Sequence, residues 1–184
     1  MAKKQNTFVI ELLSILKDLG EMMPLPFETP YAWIRRYSGI PRKKYYNTIH
    51  QLKQRGVVEV SRKAATKFIR LTRKGELELL LAKSVFAKTP GAWDGKWRII
   101  MFDIPEPARE LRDKFRWLLK KNRFVRIQQS VYISPWELNR DAVDYLRVSG
   151  LKKFIRIMRV DLLDDDSGPR KIFKLKNRLY KSRP

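Results

Sequence analysis

The stretch Trp97-Arg98-Ile99-Ile100-Met101-Phe102-Asp103-Ile104-Pro105-Glu106-Pro107 decides the architecture of the second half of the chain. Its apolar residues are nearly continuous. That is the pattern of a central strand buried on both faces rather than of a strand with one wet face. Pro105 and Pro107 stop the strand and suit the first turn of a helix. Outward from there, Ala108, Leu111, Phe115 and Leu118 recur at helical spacing and give that helix one core face. Arg109, Arg112, Arg116 and Lys120 lie on its other side. Val125, Ile127, Gln129, Val131 and Ile133 then alternate with Arg126, Gln128, Ser130, Tyr132 and Ser134, which predicts a single strand ended by Pro135. A helix over 138–148 ended by Gly150, a strand over 154–162, a turn over 164–169 and a fourth strand over 171–175 complete the reading. The expected order is β-α-β-α-β-β, with the helices on one face of the sheet.

The first half reads as helices with a small hairpin. Phe8, Leu12, Ile15, Leu16 and Leu19 share a helical face, with Thr7 as its N-cap and Gly20 as its end. Pro24, Pro26 and Pro30 make a loop, and residues 31–38 form a short helix stopped by Gly39. Pro41 opens a further helix that runs to about Arg55 and is capped by Gly56. Tyr45, Ile49 and Leu52 face its core side, while Arg42, Lys43, Tyr46, Asn47 and His50 face outward with Lys44 and Lys53 beside them. A strand Val57–Val60, a polar turn from Ser61 to Thr66, a strand from Lys67 to Leu71 and a helix capped by Thr72 follow. The segments Tyr46–Val58 and Leu71–Gly75 resemble the recognition helix and wing of winged helix-turn-helix proteins. The fold class expected is therefore α+β: an N-terminal winged helix-turn-helix over 1–88, then a ferredoxin-like β-α-β-α-β-β domain over 89–184.

Composition narrows the partners. The 184 residues include 41 Lys+Arg against 19 Asp+Glu, a net charge of +22. Each half carries a net +11, so the charge is not an appended tail. Small domains usually carry about 2–8 net charges, and an excess of this size points to nucleic acid. No segment pairs a wide apolar face with a purely basic one, so no membrane partner is expected. There is no Cys and a single His, His50. Disulfides, thiol nucleophiles, zinc ribbons and iron–sulfur sites are thereby excluded, and a multi-histidine metal site within one chain with them. No run reaches the roughly 18 apolar residues of a membrane span. Glu11 and Lys17 interrupt the only signal-like segment, so the expected compartment is the cytoplasm.

The run from Trp93 through Glu106, with its continuations Arg109–Lys120 and Arg126–Pro135, resembles the central domain of PaaX-type repressors, regulators of phenylacetate catabolism. That domain is itself similar to the CRISPR-associated endonuclease of the second type, a small ferredoxin-fold dimer. In that nuclease family the first strand ends in Tyr-Asp and the Asp is implicated in divalent metal binding. Here Phe102 stands in place of the Tyr, and Asp103 matches the Asp. The family's Val-Gln-x-Ser-Val-Phe strand corresponds to Ile127–Tyr132. PaaX-type repressors usually carry a further C-terminal domain and answer to an acyl-coenzyme A effector; on this resemblance neither that domain nor that effector is expected of these 184 residues.

These readings define the candidate residues. A helix that reads the major groove needs an apolar back and donors in front, because base edges and phosphates are rich in acceptors. Arg42, Lys43, Lys44, Tyr46, Asn47, His50 and Lys53 are placed for that. His50 is alternatively a polar surface residue. Arg62, Lys63 and Lys67 at the hairpin tip suit the flanking backbone. Arg109, Arg112, Arg116 and Lys120 are either phosphate contacts or a solvated face. Asp103 is the candidate catalytic and metal-binding residue, with Mg²⁺ as the ion. A carboxylate that caps the next helix or pairs with an Arg is its other reading. Asp161, Asp164, Asp165 and Asp166 lack calcium-loop spacing and read as a solvated turn. The function expected is a dimeric double-stranded-DNA-binding regulator of PaaX type that requires no cofactor to bind DNA. The alternatives are a metal-dependent CRISPR-associated endonuclease of the second type, or a catalytically silent DNA-binding adaptor that partners a CRISPR integrase.

Overall fold

A computed structural model describes residues 2–21, 31–32, 35, 39, 41–63, 66–85 and 91–175. The loop read at Pro24–Pro30, most of the short helix over 31–38, the hairpin tip at Ala64–Ala65 and the basic tail after Leu175 lie outside them. The protein is α+β and divides into two compact units, Met1–Lys83 and Ser84–Pro184.

The first unit contains helix α1 (Ala2–Glu21), helix α2 (Arg42–Gln54), an antiparallel hairpin β1 (Val58–Lys63) with β2 (Thr66–Leu71), and helix α3 (Arg73–Val85). Helix α1 starts five residues before the expected cap, so Thr7 and Gly20 both sit inside it. Phe8, Leu12, Leu13 and Leu16 of α1 pack with Tyr45, Ile49 and Leu52 of α2 and with Val57, Val58 and Leu79. Helix α2 ends in a Schellman turn. Gly56 adopts φ 69°, its N–H donates to the Lys53 carbonyl, and the Val57 N–H donates to the Leu52 carbonyl. The hairpin is tighter than the sequence implied. Ser61, Arg62, Lys63 and Thr66 are strand residues, with Arg62 opposite Lys67 and Lys63 opposite Thr66. The ladder continues through these polar residues because backbone pairing does not depend on apolar side chains.

Thr72 ties this unit together. Its hydroxyl donates to the Gly56 carbonyl at 2.7 Å and accepts from the Gly75 N–H at 3.1 Å, capping α3 as expected. Its own N–H donates to the Val57 carbonyl. The end of α2, the start of β1 and the start of α3 thus meet on one side chain. Gly75 is needed there, because a Cβ would stand 2.1 Å from the Val57 carbonyl oxygen and 2.5 Å from Leu71 Cδ2.

The second unit runs β3 (Trp97–Phe102), a 3-10 turn at Glu106–Ala108, α4 (Arg109–Lys121), β4 (Val125–Gln128), β5 (Val131–Ser134), α5 (Arg140–Val148), a 3-10 turn at Leu151–Phe154, β6 (Ile155–Val160) and α6 (Ser167–Phe173). The sheet order is β4-β5-β3-β6, antiparallel throughout. Strand β3 is central, as expected. Its Phe102 stacks edge-on to Phe115 of α4. On its other face Trp97 and Ile99 pack with Ile133 and against Trp93, Val160 and Phe173.

The order β-α-β-β-α-β corrects the expected β-α-β-α-β-β in two places. The single strand over 125–134 is a hairpin broken at Gln129–Ser130, with a register shift between Arg126 and Gln128. Alternation alone does not reveal the break, because a turn that keeps phase leaves the pattern unchanged. The fourth strand over 171–175 is instead helix α6. Its start is fixed by Asp166, which accepts from Arg170 Nε at 2.7 Å and from Trp97 Nε1 at 3.1 Å. Pro169 sits in the first turn, where a missing N–H costs nothing. Asn139 caps α5 by accepting from the Ala142 N–H at 2.9 Å.

Gly75→Ala should destabilise the first unit by about 1–3 kcal/mol, the usual range for forcing atoms into filled space. A lowered urea midpoint with unchanged slope checks it.

Candidate nucleic-acid interface

Helix α2 contains no acidic residue. Its back, Tyr45, Ile49 and Leu52, is buried. Burial raises the Tyr45 phenol well above its ordinary pKa, so it stays neutral at working pH. Its front exposes Arg42, Lys43, Lys44, Tyr46, Asn47, His50 and Lys53. Among the described residues no carboxylate pairs with any of these.

Two of the cations are nonetheless held. The Arg42 guanidinium lies 5.7 Å from the Tyr46 ring centroid and 6.0 Å from that of Tyr31. Tyr31 and Tyr46 are themselves stacked at 5.9 Å. Arg42 is thus pre-oriented at the first turn of α2 by cation–π contacts. Lys44 Nζ rests 4.5 Å from the Phe8 ring and leans toward α1. Lys43, Asn47, His50 and Lys53 face solvent. At the far end of the helix, Arg55 is paired with Glu78 at 2.5 Å, and Lys74 Nζ donates to the Arg55 carbonyl at 2.6 Å. These contacts fix the helix end against α3. In the hairpin, the backbones of Arg62, Lys63 and Lys67 are paired across the ladder, and their side chains lie outside the described part.

The stripe on α4 is arranged differently. Arg112 forms a bidentate pair with Glu106 at 2.8 and 3.2 Å and also reaches the Ile104 carbonyl. That pairing lowers the pKa of Glu106. Arg109 and Arg116 both approach Asp113, at 4.0 and 3.4 Å. Of the four predicted residues only Lys120 lacks a carboxylate partner among the described residues. The sequence shows the cations but not that Glu106 and Asp113 meet three of them.

Asp103 follows the last residue of β3 and its N–H donates to the Phe154 carbonyl at 3.0 Å. Its carboxylate is exposed beside a groove of about 440 Å³ lined also by Met101, Ser130, Lys153 and Arg156. Mg²⁺ needs several oxygen ligands in near-octahedral array. Among the described residues no three His, Asp or Glu side chains converge, and the charged neighbours of Asp103 are two cations. The residues of one chain therefore do not fit a divalent ion at Asp103, and no cleavage step follows from them. Lys153 and Arg156 were not singled out in the sequence, because the groove forms only when the turn before β6 meets the end of β3.

A further ionic cluster also escaped the sequence reading. Arg98, on β3, is almost fully buried. It donates to both oxygens of Asp94 at 2.5 and 2.8 Å, to the Lys96 and Pro135 carbonyls, and to Glu137 at 3.2 Å. Glu137 is shared with Arg159. A buried guanidinium needs its charge met in this way; the bonds are made by the two terminal nitrogens, and the buried Nε has no partner among the described residues. The role is structural: it pins the segment before β3 to the end of β5. The guanidinium holds the Asp94 carboxyl well below the usual carboxylate range.

Residues 90–172 match the family model of the PaaX protein central Cas2-like domain. No curated protein matches the chain.

Because the folded carboxyl is the stronger acid, Asp94 binds fewer protons than in the unfolded chain. Its pairing therefore stabilises the protein above the ordinary Asp pKa of about 3.9, and that contribution is lost as pH falls below it. Stability of the second unit should drop between about pH 5 and pH 2, and Asp94→Asn should flatten this part of the profile. Thermal melts across that range check it; an identical profile in the variant would remove Asp94 as the cause.

Proposed function

We infer that this chain, whose residues 90–172 match the PaaX-type central Cas2-like domain, is a double-stranded-DNA-binding transcriptional regulator that acts as a cytoplasmic dimer. In this reading the first unit is a winged helix-turn-helix, α2 is the recognition helix and β1–β2 is the wing. The second unit is ferredoxin-like and carries the dimer contact. The observation that carries the reading is the front of α2. It is an acid-free helix face with Lys43, Asn47, His50 and Lys53 open to solvent, backed by a fully apolar side. Such a face has donors where a major groove has acceptors.

The roles divide by chemistry. Lys43 and Lys53 are point charges suited to phosphate, which sets affinity and salt dependence. Asn47 offers the paired donor and acceptor that match adenine. Arg42 offers a planar fork that matches the O6 and N7 of guanine, already oriented by Tyr31 and Tyr46. Pre-orientation leaves less side-chain entropy to lose on binding. The antiparallel β4-β5-β3-β6 sheet and the β-α-β-β-α-β order support the ferredoxin-like reading of the second unit.

The enzymatic alternative, a metal-dependent endonuclease, would require a second chain to complete the ligand set around Asp103. The two cations in that groove disfavour it. An adaptor for a CRISPR integrase would share the DNA contacts but show no preference for sequence.

Lys43→Ala should weaken binding to specific and non-specific duplexes alike and reduce the slope of log K against log salt by about 0.9, one phosphate contact. Arg42→Lys keeps the charge and loses the fork. It should reduce discrimination between the preferred site and a guanine-substituted one by about 1–3 kcal/mol while leaving the slope in place. Fluorescence-anisotropy titrations of the full chain check both. Parent-like binding by Lys43→Ala and Arg42→Ala together would overturn the assignment of α2.

A further inference from the structure

Between Lys114 and Trp136 the sequence contains no acidic residue, yet it carries Lys114, Arg116, Lys120, Lys121, Arg123 and Arg126. Helix α4 covers the first part of that run. The face that carries Arg109, Arg112 and Arg116 is internally compensated, since Glu106 and Asp113 engage all three. The lysines of the same helix are not. Lys114, Lys120 and Lys121 are exposed and have no carboxylate partner among the described residues.

Trp117 stands among them, 41% exposed. Residues 114, 117 and 121 are spaced three and four apart, so they share one helical face. The Lys121 ammonium lies 5.7 Å from the centroid of the Trp117 ring. A single half-exposed indole is ordinary on a protein surface; what marks this one is its setting. Lysines are depleted from protein–protein interface cores, and an indole with one ammonium over its ring and two further uncompensated lysines on the same helix suits an anionic partner with a flat or sugar-like surface. The last turn of α4 also ends in Lys120 and Lys121, where they oppose the negative end of the helix dipole. That accounts for their tolerance but not for the exposed ring or for Lys114.

We propose that the lysine face of α4, through Lys114, Trp117, Lys120 and Lys121, is a second nucleic-acid contact that grips the phosphate backbone of duplex DNA. The ammonium groups neutralise phosphates. The indole packs on a deoxyribose and donates its N–H to a phosphate oxygen. This contact carries no sequence preference, because none of its side chains has a fork or amide suited to base edges. It adds affinity and salt dependence to a chain whose sequence reading resides in α2. Of the stripe Arg109, Arg112, Arg116 and Lys120, which the sequence reads either as phosphate contacts or as a solvated face, it retains only Lys120.

The test uses the full chain with Lys114→Glu/Lys121→Glu, and with the milder Lys114→Gln/Lys121→Gln as a guard against general repulsion. The charge lies on an exposed face, so both should melt like the parent. Each pair removes two phosphate contacts. The slope of log K against log salt should fall by about 1.8, or 0.9 per contact, on specific and random duplexes equally, with the ratio between them unchanged. Trp117→Ala should weaken both by a common factor. Parent-like slopes in both lysine pairs would overturn the proposal, and so would a loss confined to the specific site. If those slopes stay parent-like while Lys43→Ala lowers its own, α2 alone binds DNA and only this proposal fails. If the parent binds no duplex at low salt, both fail.

Discussion

Strand β3 is buried on both faces except at Met101, and the second unit is arranged around covering it. Trp97, Ile100 and Phe102 are buried although they alternate in direction, so both sides of the sheet need a lid. Helix α4 covers one side through Phe115. The segment around Trp93 and helix α6 covers the other. The one ionised side chain that lies in this strand, Arg98, is tolerated because Asp94, Glu137 and two carbonyls meet its two terminal nitrogens. Removing a partner would leave a buried charge uncompensated, which costs far more than the pair itself contributes.

The first unit answers to a different constraint: it must hold a cationic helix without neutralising it. Thr72 does this from a distance. By bonding to the Gly56 carbonyl and capping α3, it fixes the end of α2 and the root of the hairpin together, while among the described residues no carboxylate pairs with the front of α2. The two basic helices of the protein therefore differ in kind. Among the described residues the cations on the front of α2 meet rings or solvent and no carboxylate. Helix α4 is compensated along its arginine face and not along its lysines. Counting charges does not separate these cases; pairing does.

Much of this was legible in the residues. The buried strand at 97–102, the cap at Thr72, the turn at Gly56 and the apolar back Tyr45-Ile49-Leu52 follow from local chemistry and periodicity, which act over a few residues. What the sequence concealed depends on contacts across the fold. The hairpin at Gln129–Ser130 keeps the alternation of a single strand. Helix α6 replaces a strand because Asp166 is bonded to both Arg170 and Trp97, a partner in another element. The compensation of Arg112 needs Glu106 to fold back from the turn before α4. The placing of Lys153 and Arg156 beside Asp103 needs the β3–β6 register. Asp103 itself was legible as a strand-end carboxylate, but its cationic neighbours were not, and they decide against a metal set within one chain.

The measurement that bears most directly on this account is a salt-series titration of the full chain against labelled duplex DNA, run in Mg²⁺ and in EDTA. The account predicts intact DNA in both, preference for one sequence over random duplex, and a steep fall of log K with log salt at about 0.9 per phosphate contacted. A flat salt dependence would contradict it, and so would Mg²⁺-dependent cleavage that disappears in Asp103→Asn.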